Sequence, residues 1–298
     1  MNGRIIKALS GFYYVKAANK KLYECKAKGS FRNEHLTPLV GDQVRIEVID
    51  ENESTGTVAE ILPRKNSLIR PAVANVDQAM VVFSVRNPYP NYSILDRFLV
   101  LMKKQGIETI IVFNKKDLAK SDDLKNIKAA YKKSGCKVYF ISAGGERPSL
   151  GSLKLQLRNK ITVMAGPSGV GKSTILNCLS RAGNEEVAQV GAISSKVGRG
   201  KHTTRHNEIY TVGRSYQIVD TPGFTSLLVT EEDVSRDELK QYFPEFAPYE
   251  TKCPFKDCSH IKERDCAVRS AVDEGKIAQS RYNSYKAIYE ELKSQKKF

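Results

Sequence analysis

"ITVMAGPSGVGKSTILNC", residues 161–178, decides the fold. An apolar run, "KITVMA", stops at Gly166, and a good helix former, "STILNCLSRA", follows. Between them, Gly166–Ser173 satisfies G-x-x-x-x-G-K-[ST] in full. A strand, a glycine-rich loop and a helix in that order predict a phosphate-binding loop. Its glycines let backbone N–H groups turn toward phosphate oxygens, and the helix N-terminus adds partial positive charge. The expected binding residues are Gly166, Pro167, Ser168, Gly169, Val170, Gly171, Lys172, Ser173 and Thr174. Lys172 is expected to reach the β- and γ-phosphates and to act in catalysis, and Ser173 to ligate Mg²⁺.

Working outward, "DTPG" at 220–223 follows the apolar "SYQIV". There Asp220 suits a water-mediated hold on Mg²⁺, and the Gly223 N–H suits the γ-phosphate. Upstream, "NKKD" at 114–117 closes the run "TIIVF". Asp117 can accept two hydrogen bonds from one edge of guanine, an edge that adenine lacks. Lys115 can lay its stem along the ring, Asn114 can tie neighbouring loops, and Lys116 completes the tetrapeptide. "ISA" at 141–143 ends the next strand, so Ser142 and Ala143 are further candidates for contacts to the base. The order along the chain is therefore base reader, phosphate loop, then D-T-P-G. In the usual arrangement the phosphate loop leads. The chain reads as a circular permutation, with the old ends joined through "AGGERPSLGSLKLQLRNK", residues 143–160. Chain termini that lie close together make such a rejoining physically reasonable.

From about 75 to 225 apolar runs alternate with amphipathic stretches, the rhythm of a mainly parallel sheet covered by helices. Before it, five short runs ("GRIIKAL", "GFYYVKA", "KLYECKA", "DQVRIEVID", "TGTVAEIL") are punctuated by Gly, Asn, Pro and Ser. They predict a small closed barrel of OB type, while a barrel without a binding role fits the same pattern. Beyond about 230 the chain is rich in Glu, Lys and Arg and helical in pattern. "IAQSRYNSYKAIYEELKSQKKF" predicts a terminal helix with Tyr and Ile packed on a core. The expected fold is multidomain α/β: an OB-type β-barrel over 1–68, a circularly permuted Ras-like P-loop GTPase domain over 69–228, and a helical zinc-binding module over 229–298.

"CPFKDCSHIKERDC" supplies the last domain's metal reading. Cys253, Cys258, His260 and Cys266 form a closed tetrahedral donor set for one structural Zn²⁺. The other cysteines (Cys25, Cys136, Cys178) are scattered, which fits a reducing compartment better than a disulfide framework. His35 and His206 have no comparable company. The net charge is +15 over 298 residues. Residues 1–32 carry eight Lys/Arg against Glu24, and "KVGRGKHTTRH" at 196–206 carries four and no acid. Such concentration suggests a polyanionic partner. No apolar run is long enough to cross a bilayer and no leader pattern opens the chain, so a cytoplasmic protein with no membrane partner, acting as a monomer, is expected.

Together the permuted motifs, the barrel and the zinc module resemble the RsgA-type (YjeQ/YloQ) GTPases over nearly the whole chain. The resemblance implies GTP hydrolysis stimulated by the small ribosomal subunit, a part in late maturation of that subunit, and a barrel that contacts rRNA. "GRGKHTT" at 198–204 matches the family's switch segment. It implies that Thr203 or Thr204, with Thr203 preferred, meets Mg²⁺ and the γ-phosphate. Many GTPases carry Gln just after the D-x-x-G loop; Phe224 stands here, as in the family. His202 is then a candidate for orienting water, and contact with RNA or solvent is the alternative. Two other functions suit the same residues: a GTP-gated RNA-binding or signalling module acting away from the ribosome, and a GTP-dependent metal chaperone. The closed four-ligand cluster argues against the chaperone.

Overall fold

The computed structural model describes residues 1–33, 36–69, 71–145, 148–181, 208–212, 215–220 and 228–295. It divides into two compact units, each assembled from separate stretches of chain. One unit holds Met1–Gln78, Leu153–Ala165 and Ile175–Gly223; the other holds Ala79–Ser152, Gly166–Thr174 and Phe224–Phe298.

In the first unit all five short runs become strands: β1 (Asn2–Leu9), β2 (Phe12–Ala17), β3 (Leu22–Ala27), β4 (Gln43–Asp50) and β5 (Thr55–Ile61). β1 pairs antiparallel with β2, β2 with β3 and β4 with β5, while β3 runs parallel to β5. The pairing of β1 with β4 closes the ring. Closure satisfies most of the strand edges within the ring, and the far end of β1 is left to pair outside it. Alternation sets the inside: Ile5, Val15, Tyr23, Cys25, Val44, Ile46 and Val58 are all buried. Register shifts in β1 between Ile5 and Lys7 and in β4 after Arg45 supply the local bends that a small barrel needs. Two further short strands, β6 (Ser67–Leu68) and β7 (Val73–Ala74), pair antiparallel.

The same unit contains β11 (Lys160–Ala165), β12 (Glu208–Val212) and β13 (Tyr216–Asp220). β11 and β13 are parallel, with Met164 opposite Asp220. β12 pairs antiparallel with β13, and Lys7 of β1 pairs with Glu208 of β12.

The second unit is built on β8 (Gln78–Ser84), β9 (Thr109–Asn114) and β10 (Lys137–Phe140), all parallel in the order β10-β9-β8. Every residue of β8 and β9 is buried, as expected of strands covered on both faces. Helix Tyr92–Lys104 starts at Asn91, whose side chain accepts from the Ile94 N–H, and ends with Lys103 and Lys104 against the helix dipole. The helix Asp123–Tyr131 follows β9.

In the C-terminal part, helix Gln279–Ser294 buries Tyr282, Tyr285, Ile288 and Leu292. The expected Tyr and Ile stripe is thus core. Its rings meet Phe243 and Phe246 edge to face; Phe246 and Tyr285 lie 5.0 Å apart at 80°. The helical pattern expected just after 230 is not realised. Residues 231–246 form turns and one 3-10 turn, Leu239–Tyr242. Side chains there hold backbone N–H groups that a helix would use: Asp233 accepts from Thr230, and Glu231 accepts from Arg236. No helix of the described residues is long and apolar enough to cross a membrane.

Candidate functional site

β9 ends in Asn114, and its position makes that side chain a clasp. It is buried, its Nδ2 donates to the Val170 carbonyl at 2.9 Å, and its Oδ1 accepts from the Ala143 N–H at 3.0 Å. The base-reader loop, the "ISA" strand end and the phosphate loop are thereby drawn to one point. Lys115 follows in the left-handed region at φ 59° and donates to the Gly169 carbonyl at 2.8 Å. It also donates to the Asn87 carbonyl. The Asp117 N–H is received by the Ser142 hydroxyl at 3.2 Å, and Lys116 and Asp117 are exposed. Ala143 and Ser142 therefore support the loop through N–H and hydroxyl contacts.

The phosphate loop turns between β11 and the helix Lys172–Arg181. Gly166 has φ 149°, and a Cβ there would lie 2.2 Å from the Val82 carbonyl oxygen. Gly171 has φ 95°, and a Cβ there would lie 2.3 Å from the Asn114 amide nitrogen. Both positions exclude any side chain, so the motif's terminal glycines are required by close approach as well as by φ. Pro167 is half-buried, Ser168 and Gly169 are exposed, and Val170 is buried. Lys172 donates to the Gly166 and Pro167 carbonyls at 2.7 and 2.8 Å, so its ammonium is held over the loop. Ser173 is half-buried and Thr174 exposed at the helix start. Asp220 ends β13 beside Met164, two residues before Gly166 along the paired strand. Gly223, Phe224, His202, Thr203 and Thr204 lie outside the described residues, as do His35 and His206.

Some supports of this loop carry no local sequence signal. Arg86 binds Asp123 through Nη2–Oδ1 at 3.0 Å, and Asp123 also accepts from the Lys120 N–H at 2.8 Å. That pair ties the turn after β8 to the turn after the base reader, 37 residues on. The Ser84 hydroxyl donates to the Pro88 carbonyl at 2.6 Å within the same turn.

The cysteine cluster assembles as expected. The ligand atoms of Cys253, Cys258, His260 and Cys266 all lie within 4.8 Å of one another. Cys253 Sγ is 3.9 Å from Cys266 Sγ, and His260 Nδ1 is 3.7 and 3.4 Å from those two sulfurs. A tetrahedral zinc with bonds of about 2.3 Å to sulfur and 2.0 Å to nitrogen has edges of about 3.5–3.8 Å. The donor set fits that ion, with Nδ1 as the imidazole donor. The other ring nitrogen, Nε2, is buried without a hydrogen bond, 3.9 Å from the Glu250 carboxylate. Burial, then the nearby Lys240 charge, lowers His260 to about 4, so the ring is neutral and able to ligate. Burial first, with neighbouring Cys266 and Cys253, pushes the Cys258 thiol up to about 12. A cation that takes its thiolate displaces that proton.

The loop carrying the ligands is itself fastened. Tyr282 and Tyr285 donate to the His260 and Ser259 carbonyls. Glu263 accepts from the Ser259 hydroxyl and N–H and from the Ile261 and Lys262 N–H groups. Burial works to raise this carboxyl, but those hydrogen bonds prevail and hold it at about 2.

Comparison with known proteins adds an independent line. Residues 61–230 match the model of the RsgA GTPase, and residues 2–58 match the model of the RsgA N-terminal domain. A protein of Agathobacter rectalis, called small ribosomal subunit biogenesis GTPase RsgA, is 47% identical over 309 residues and covers 100% of both chains. One of the same name from Alkaliphilus metalliredigens is 45% identical and covers 99% of both. Among solved structures, YjeQ from Thermotoga maritima is similar with a TM-score of 0.79 and 35% identity, covering 99% of each chain. YloQ, described as a circularly permuted GTPase, is similar with a TM-score of 0.75 and 36% identity, covering 100% of this chain and 96% of that one.

Proposed function

Because this chain belongs to the RsgA GTPase family, we propose that it hydrolyses GTP to GDP and phosphate on the small ribosomal subunit, in late maturation of that particle. The observation that carries the reading is the Asn114 clasp. One buried amide joins a base reader to a phosphate loop that follows it by some fifty residues, as a permuted nucleotide site requires. The names borne by the relatives favour the ribosomal reading over a GTP-gated module acting elsewhere.

In this reading Asp117 accepts from the guanine edge, and Asn114, Lys115, Lys116, Ser142 and Ala143 shape its surroundings. The backbone N–H groups of Gly166–Gly171 and the ammonium of Lys172 hold the phosphates, beside Thr174. Ser173 and Thr203 hold Mg²⁺, with Asp220 behind it, and Gly223 faces the γ-phosphate. The metal, when bound, neutralises charge on the β- and γ-oxygens. His202 orients the attacking water by accepting its hydrogen bond as a neutral imidazole. Cys253, Cys258, His260 and Cys266 hold one Zn²⁺ as a folding staple. We assign 1–68 to an RNA-binding barrel, 69–228 to the GTPase domain and 229–298 to the zinc module, in a protein that acts as a monomer in the cytoplasm.

The test is nucleotide turnover with and without purified small subunits, with ATP alongside. GTP hydrolysis is expected to rise several-fold with subunits while ATP is ignored. In the same assay His202→Ala is expected to lose the stimulated rate and keep GTP affinity. Turnover indifferent to subunits would overturn the ribosomal reading, and equal use of ATP would overturn the assignment of Asp117.

A further inference from the structure

Beside the start of β11 the first unit contains a half-open polar cavity of about 320 Å³. The walls come from the barrel and from the starts of β11 and β13: Arg4, Gln43, Lys65, Asp77, Asn159 and Gln217.

Charge in this cavity is unevenly satisfied. Lys65 is paired with Asp77 at 3.0 Å, and the other Asp77 oxygen accepts from the Ile161 N–H at 2.8 Å. The one carboxylate of the lining is therefore occupied. Arg4 has no such partner. Its Nη1 donates to the neutral Gln217 Oε1 at 3.0 Å, and its Nε is buried with no hydrogen bond at all. A guanidinium stays charged, and an N–H of it left unmatched away from water is costly. Buried polar groups are almost always matched, and the planar fork of Arg matches a phosphate.

We propose that this cavity is a second ligand site, which takes the phosphate of a phosphorylated ribose on Arg4. Arg4, in the wall beside Gln217, donates to the phosphate oxygens. The amides of Gln43 and Asn159 face the sugar hydroxyls. The half-open cavity of about 320 Å³ has room for a sugar beside the phosphate. Two cations against one carboxylate leave the lining with an excess positive charge, which suits a phosphate ester and rejects an uncharged sugar. The ribose phosphate belongs either to a free mononucleotide or to one residue of an RNA strand. The site is independent of the guanine-nucleotide site and of the reaction proposed there.

The test uses the full chain saturated with GDP and Mg²⁺, so that the other phosphate site is filled. Ribose 5-phosphate, ribose and a short single-stranded oligouridine are titrated by calorimetry against the protein and three variants. Saturable binding of ribose 5-phosphate but not ribose is expected, weakened roughly tenfold or more by Arg4→Gln. Arg4→Lys, which keeps the charge and loses the fork, is expected to fall between. Gln43→Glu, at an exposed rim position, is the third variant: it sets a carboxylate against the phosphate and leaves Arg4 unchanged. GDP affinity and thermal unfolding serve as controls of folding in each case. Binding of ribose 5-phosphate identifies a free ligand, and Arg4-dependent binding of the oligonucleotide alone identifies an RNA residue. Absence of saturable binding by either probe, or binding that Arg4→Gln and Gln43→Glu both leave unchanged, overturns the proposal.

Discussion

Asn114 makes no contact with a base edge in the sequence reading, yet it is the residue on which the site's geometry turns. Its amide is satisfied on both sides, at Val170 and Ala143, so its neighbours cannot drift independently. Asp117 is different in kind: its backbone is fastened by Ser142, and its carboxylate is exposed. Asp117→Ala should therefore leave the fold intact and weaken GDP binding by roughly 10- to 100-fold, the worth of a charged hydrogen bond. Parallel titrations of GDP and ADP check this, and equal loss for both would sink the base-reading role. Glu263 yields a prediction in pH. Its folded value of about 2 lies below its ordinary 4.5, so the stabilisation it lends is fully present above 4.5. It is lost as pH falls toward 2. Glu263→Gln should consequently be less stable than the parent near neutrality, with the difference shrinking to nothing at about pH 2. Denaturant unfolding across that range reads it directly.

At the scale of elements, helix Gln279–Ser294 is held by more than its apolar stripe. Arg281 is buried and binds Glu245 and Asp96 at 2.6 Å each, and Tyr131 donates to the same Asp96 at 3.0 Å. Burial opposes the Arg281 charge, but the fields of Asp96 and Glu245 outweigh it and hold its pKa above the ordinary value. The cation also lies 4.6 Å from the Phe243 ring centroid. Removing it strands two buried carboxylates. Arg281→Ala should cost about 3–5 kcal/mol in unfolding free energy, because an uncompensated buried charge is the dominant loss. A loss under about 1 kcal/mol would mean that water reaches the group. Arg97, on the helix beside Asp96, makes a second pair with Glu291 of the same terminal helix. Both pairs cross 185 residues or more, and nothing in the local pattern of "SILDRFLVLMKK" marks its Asp and Arg as buried. By contrast, the five barrel strands and the terminal helix were legible, since period-two and helical alternation reflect one-sided burial within a single element. Turns at 231–246 were not legible, because charged residues at helical spacing there are spent on local side-chain bonds instead.

For the molecule as a whole, the +15 charge carries its own expectation. If the basic N-terminal segment and its barrel meet RNA phosphates, affinity for RNA should fall linearly in log–log form with salt. The slope should be about −0.7 per phosphate neutralised on single strands. GDP affinity should fall less steeply, since a single nucleotide carries two phosphates where an RNA strand carries many. Filter binding from about 50 to 200 mM salt measures both, and a flat RNA curve would rule out a phosphate footprint.

The phosphate-loop and N-K-K-D motifs, the Cys/His cluster and the individual barrel strands were legible in the sequence alone. Each rests on backbone conformations or donor types confined to a few adjacent residues, so a short window contains the whole physical requirement. Only the tertiary structure decided which groups Asn114 joins, the Val170 carbonyl and the Ala143 N–H, and that Gly171 must yield to it. The same holds for the Asp96–Arg281–Glu245 network and for Arg4, whose Nε finds no partner, beside a polar cavity. Those depend on which distant groups share a low-dielectric space, and pairing energies there are set by distances of a few ångströms that no local pattern encodes.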